Sequence, residues 1–127
     1  MSQDPYNEIV REYFTATPHA GELTDAPSGY FEDQGIRLRF FAAVEKDRVE
    51  TMRFAAWGCP HVIAAAEAVC RYFEGAEVAE LDKFPSAQIM RDLAVPVEKT
   101  GRILIVEDTV RSLRAAIRDR IADTTQD

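Results

Sequence analysis

Apolar positions along this chain recur with two different periods, and the change of period marks out its elements. In PYNEIVREYF, Ile9, Val10, Tyr13 and Phe14 fall at helical spacing, which predicts a short amphipathic helix with Pro5 in its first turn. From Thr15 to Ser28 the chain is rich in Gly, Pro, Thr and Ala, the composition of a loop carrying one weak strand at most. The period then shortens. IRLRFFAAV (36–44) alternates Ile36, Leu38 and Phe40 with Arg37 and Arg39, and VETMRFAAW (49–57) follows it across EKDR, so the two form a hairpin. Gly29 to Phe31 supplies a third antiparallel strand.

Helical spacing returns after Pro60. HVIAAAEAVCRYFEG reads as a helix closed by Gly75, with Glu67, Arg71 and Glu74 as its exposed stripe and every other position apolar, which makes it central. SAQIMRDL is a short helix with Ser86 at its N-cap, and the Pro96 region breaks the chain before the last element. From about Arg102 to Ile121 a long helix carries Ile103, Val106, Val110, Leu113, Ile117 and Ile121 in one stripe. Early strands followed by helices predict an α+β fold: a three-stranded antiparallel sheet, helices packed on one face and a long C-terminal helix, in a single domain over residues 1–127. The other sheet face must be wetter or meet a partner.

Composition supports a soluble globular chain, 46% hydrophobic and 29% charged. A net charge of -7 argues against nucleic acid as the main ligand, because phosphate contacts need a local surplus of cations. Arg111, Arg114, Arg118 and Arg120 are interleaved with Glu107, Asp108, Asp119 and Asp123, the pattern of a solvated helix face. No apolar stretch reaches the roughly 18 residues of a membrane span, and the first residues lack a secretory pattern, so the expected location is the cytosol, with reduced thiols.

Candidate chemistry gathers at WGCPH. Cys59 and Cys70 are 11 positions apart, which on a continuous helix is roughly 16 Å along the axis, too far for a disulfide or a shared metal. Cys70 reads as a small core hydrophobe. Cys59 stands before a helix N-terminus, where the dipole favours a thiolate, and is a candidate nucleophile or ligand. His61 could join it as a metal donor or a base, although alone it is an ordinary first-turn residue. His19, beside Pro18, carries no reading of its own. HExxH, CxxC and Gly-rich phosphate-loop motifs are absent.

Taken in order, YNEIVREYF, RFAAWGCPHVIAAAEAVCRYFEG and VPVEKTGRILIVEDTVRSLRAAIRDRI resemble the IscU and NifU N-terminal iron-sulfur scaffold family over nearly the whole chain. The resemblance implies an IscU/SufE-like fold and a site of three cysteines helped by an aspartate and a histidine. Only Cys59 matches one of the cysteines. Glu32 and Gln34 fall where the first cysteine and the aspartate are expected, and Gly101 and Arg102 where the histidine and third cysteine are expected. Glu32 and Arg102 are therefore expected to replace two thiols with an ion pair. Of the family's chaperone-recognition segment, Pro96 and Lys99 are present and the paired prolines are not.

These departures imply an assembly scaffold-like protein with an impaired cluster site, handling iron or sulfur transiently through Cys59, with Glu32, Asp33 and His61 as auxiliary donors. A stable cluster on one chain is not expected, and a zinc site on the same donors is the weaker option. Expected partners are a cysteine desulfurase or other iron-sulfur assembly proteins, or a second copy of the chain, and no turnover enzyme is implied. Two alternatives stand: a sulfur relay in which Cys59 accepts a persulfide, and a non-catalytic partner-binding module of the same fold.

Overall fold

The computed structural model describes residues 7–125, so Pro5, the expected first-turn residue, lies outside the described residues. Three antiparallel strands, Ser28–Asp33 (β1), Ile36–Glu45 (β2) and Arg48–Trp57 (β3), lie in the order β1-β2-β3. Both connections are two-residue turns whose central residues have positive φ: 52° and 79° at Gln34 and Gly35, 52° and 62° at Lys46 and Asp47. That hand of turn matches the twist of paired strands and fixes their register. Leu38, Phe40 and Ala42 face Ala56, Phe54 and Met52 on the inner side, and Arg37 and Arg39 face Trp57 and Ala55 on the outer one. The alternation in β2 was the reliable signal.

The α1 helix, Glu8–Thr15, starts at Asn7, whose side-chain oxygen accepts from the Val10 N–H at 2.8 Å. The α2 helix runs Pro60–Phe73, and Gly75, at φ 89°, turns the chain away from it while its N–H bonds the Val49 carbonyl of β3 at 2.6 Å. A 3-10 turn (Val78–Asp82), α3 (Ser86–Asp92), a second 3-10 turn (Val97–Lys99) and α4 (Thr100–Thr125) complete the order. Pro85, not Ser86, occupies the N-cap of α3, because the Ile89 N–H already bonds the Pro85 carbonyl at 3.0 Å. Among the described residues, no helix is long and apolar enough to cross a membrane.

The core lies between the inner sheet face and the α2 and α4 helices, where Phe40, Phe54, Phe73, Met52 and Leu113 are fully or almost fully buried. The α4 stripe is buried from Ile103 to Ile117 but ends there, since Ile121 is 42% exposed. Where α4 crosses β1, the backbones touch at Gly29. A methyl group there would overlap the Leu113 backbone and lie 2.6 Å from the Ser112 carbonyl carbon. Ser112 Oγ accepts the Tyr30 N–H at 3.2 Å, so the crossing also covers the β1 edge. At the opposite edge a single isolated bridge joins Ala20 to Phe54, and the first loop forms no strand beyond it.

The stripe Glu67, Arg71, Glu74 is not a solvated face. Glu67 is fully buried, and its carboxylate accepts from the His19 backbone N–H at 3.1 Å and Arg71 Nε at 2.7 Å, with His19 Nδ1 at 2.6 Å. Arg71 in turn lies over the Tyr13 ring of α1, 4.2 Å from its centroid. Glu74 lies 3.3 Å from His19 Nε2 and accepts from the Met52 N–H at 2.9 Å and Arg53 at 3.0 Å. One histidine therefore ties the first loop to both α2 carboxylates, and a buried charge so supplied can be tolerated. Cys70, inside the same helix, is a buried core thiol, its pKa driven up by burial and then by Glu67 and Glu74.

Two outcomes follow. Gly29→Ala should lose at least about 2 kcal/mol in a urea titration, since neither backbone at the crossing can yield. Burial alone would raise the Glu74 pKa, but the Met52 N–H, His19 and Arg53 outweigh it and hold the carboxyl below its ordinary 4.5. Its contribution is thus present above the unfolded-state value and lost as pH falls through the folded one. Glu74→Gln should be less stable than the parent at neutral pH and converge with it in acid, followed by circular dichroism melting.

Candidate functional site around Cys59

The turn Trp57-Gly58-Cys59 passes from the end of β3 into α2 at the end of the sheet where the Gln34-Gly35 turn also lies. Cys59 is the α2 N-cap, with extended backbone (φ -75°, ψ 166°), and its carbonyl accepts from the Val62 and Ile63 N–H groups at 3.0 and 3.2 Å. Its side chain makes no capping bond, is half-buried, and packs against Ile36, Val62 and Ile105. Three elements thus position one thiol: the β2 start, the first turn of α2 and the second turn of α4.

His61, in the first turn as expected, is nevertheless fully buried. Lys99 Nζ lies 3.4 Å from its Nδ1. An ammonium only donates, so that ring nitrogen accepts and the ring proton sits on Nε2. Burial first, then the charges of Lys99 and Arg102, push the His61 pKa below its ordinary value. The structure therefore sets Lys99 against His61, with Arg102 close enough to act on the same ring, in the first turn of the helix that Cys59 caps. Pro96 precedes the 3-10 turn that delivers Lys99, while Val97 is 85% exposed.

Glu32 is on the wrong face for the ion pair expected of it. It sits opposite Arg37 in the β1–β2 register, accepts a hydrogen bond from the Tyr30 hydroxyl and has Arg37 Nε at 4.0 Å; no ion pair within 4.0 Å joins it to Arg102 among the described residues. Strand alternation is the reason: Tyr30, Glu32 and Arg37 share the outer face, and α4 lies across the inner one. Asp33, one residue on, pairs with Ile36 and shares its face, so it is the carboxylate of this strand on the Cys59 side. Sequence reasoning gave the two acids equal standing as donors.

As a metal site the arrangement is poor. Among the described residues no three His, Cys, Asp or Glu side chains converge, and two cations attend the His61 imidazole. A single thiolate and a neutral imidazole do not fit an iron-sulfur centre, whose clusters are held by four protein ligands.

The depressed His61 pKa carries a measurable sign. The ring should stay neutral, with its proton on Nε2, as pH falls through 6.5. Lys99→Met should raise its titration midpoint without restoring the ordinary value, because burial remains; nitrogen-proton NMR correlation reads both.

The NifU-like N-terminal domain family model matches residues 5–123. The chain is 30% identical over 123 residues to iron sulfur cluster assembly protein 1, mitochondrial, of Schizosaccharomyces pombe, the match covering 88% of this chain and 62% of that protein. It is 28% identical over 75 residues to the iron-sulfur cluster assembly scaffold protein IscU of Azotobacter vinelandii, covering 59% of this chain and 56% of that one. The chain thus spans less than two thirds of the length of either relative. Among solved structures, FiSufU, a SUF-system protein from Fervidobacterium islandicum AW-1, superposes with a TM-score of 0.69 at 14% identity, covering 87% of this chain and 95% of that one. The N-terminal NifU-like protein from Brucella abortus gives 0.62 at 14% identity, covering 88% and 91%. At that identity the likeness is one of fold, an α+β fold as expected from the sequence. With almost the whole chain matched by the family model, and the aromatic-Gly-Cys turn opening its central helix, this protein belongs to the NifU-like N-terminal domain family.

Proposed function

We propose that this protein is a scaffold-like assembly factor of iron-sulfur biogenesis with an impaired cluster site, handling sulfur or iron transiently through Cys59. The observation that carries this reading is a half-buried thiol at the α2 N-cap with no set of three metal donors converging among the described residues. The names of the relatives support the assembly role, and the loss of ligands supports transience. On this reading the protein works in the cytosol, turns over no substrate by itself and meets other assembly proteins, a cysteine desulfurase first among them.

A second reading is favoured by a specific observation, the cations at the site. Lys99 and Arg102 act on His61 and would repel a metal cation there, while the half-buried Cys59 thiol caps the same helix, which supports Cys59 as a persulfide acceptor. In that step the Cys59 thiolate attacks the outer sulfur of a donor persulfide, a new S–S bond forms, and the donor cysteine leaves as a thiolate.

Anaerobic reconstitution with iron and sulfide followed by gel filtration should return colourless monomer, and a visible-absorbing cluster travelling with the monomer would overturn the impaired-site reading. Incubation with a cysteine desulfurase and cysteine should add one sulfur atom to the intact mass, and Cys59→Ser should remove the adduct. Absence of the adduct sinks the relay.

A further inference from the structure

The outer sheet face is left open by the helices. At its Cys59 end, Trp57 is 71% exposed, Tyr30 41% and, on the neighbouring α1 helix, Phe14 44%. Trp57 stands between two hollows. One, of about 580 Å³, is lined by Phe14, Gly35, Gly58 and Ile63, with Trp57 as its wall. The other lies on the strands between Trp57 and Tyr30, floored by Ala55 and Ala56 and edged by Arg37 and Arg39.

Charge tells the two apart and names an occupant. The rows Glu32–Arg37–Trp57 and Tyr30–Arg39–Ala55 carry two arginines against one carboxylate, on a chain whose net charge is -7. Arg37 is 65% exposed and meets Glu32 only at 4.0 Å. Arg39 is held in place, 4.8 Å over the Tyr30 ring and 3.0 Å from Ser28 Oγ, so it presents a guanidinium whose position is already paid for. Arginine and aromatic side chains so arranged are the residues that dominate protein interfaces.

We infer that this face docks an acidic segment of a partner protein, its carboxylates on Arg37 and Arg39 and an aromatic or large aliphatic anchor in the hollow beside Trp57. A second copy of the chain meeting this face two-fold would set these arginines against their own equivalents. A nucleic acid would bring a long polyanion to an acidic protein that offers it two cations. The surface adjoins Cys59 without using the thiol, so it goes beyond the assembly reading and does not depend on it.

The test is fluorescence anisotropy of a labelled glutamate–tyrosine copolymer with the intact protein, compared with a lysine–tyrosine copolymer and a single-stranded oligonucleotide. The acidic copolymer should bind, more weakly as salt rises, and Cys59→Ala should bind it equally well. Arg37→Glu combined with Arg39→Glu, and separately Trp57→Ala, should each weaken binding about tenfold or more while circular dichroism shows the fold retained. Equal affinity for the basic copolymer, tighter binding of the oligonucleotide, or indifference to both variants would overturn the inference. So would a dimer in sedimentation equilibrium that Trp57→Ala dissolves. None of these measurements uses metal or sulfide, and the Cys59→Ala arm removes the thiol, so their failure is distinguishable from failure of the assembly reading.

Discussion

A β-strand has two faces, and in this protein the two-residue turn at Gln34 and Gly35 decides which side chains share one with Cys59. Because side chains alternate, a shift of one residue would exchange every inward group of β1 for its outward neighbour. The positive φ at both turn residues fixes the pairing of Asp33 with Ile36 and Glu32 with Arg37. From that register follow the apolar seat of the thiol, the exile of Glu32 to the outer face and the arginine rows beside Trp57. The Gly29 crossing then holds α4 against the same strand.

Much of the architecture was readable from local pattern. The alternation of Ile36, Leu38 and Phe40 with arginines, the Ala-rich run after Pro60 and Gly75 at its end each carry a local physical reason, and the structure agrees with all of them. Glu67 was not readable. Its spacing with Arg71 and Glu74 is that of a surface ion-pair ladder, and the partner that makes burial tolerable, His19, lies 48 residues away in a loop without periodicity. The expected pairing of Glu32 with Arg102 failed for a related reason: alignment places residues along a chain, whereas a turn places them on a face. The Gln-Gly pair at 34 and 35 was the available signal, since a two-residue hairpin closing there dictates the alternation of both acids.

The candidate site shows the same division. Cys59 was recognisable from its position before α2, and Lys99 from a fragment of motif. The contact of Lys99 with His61 was not, because it needs the 3-10 turn after Pro96 to carry Lys99 back to the first turn of α2. An imidazole kept neutral by burial and neighbouring cations can accept a hydrogen bond but adds no charge, so the positive charge beside it is that of Lys99 and Arg102.

Trp57 is the single tryptophan of the chain, and its indole already stands in water in the folded state. Its emission will therefore look much the same before and after denaturation, and a melt followed at that wavelength would report a nearly silent protein while the phenylalanine-rich interior came apart unseen.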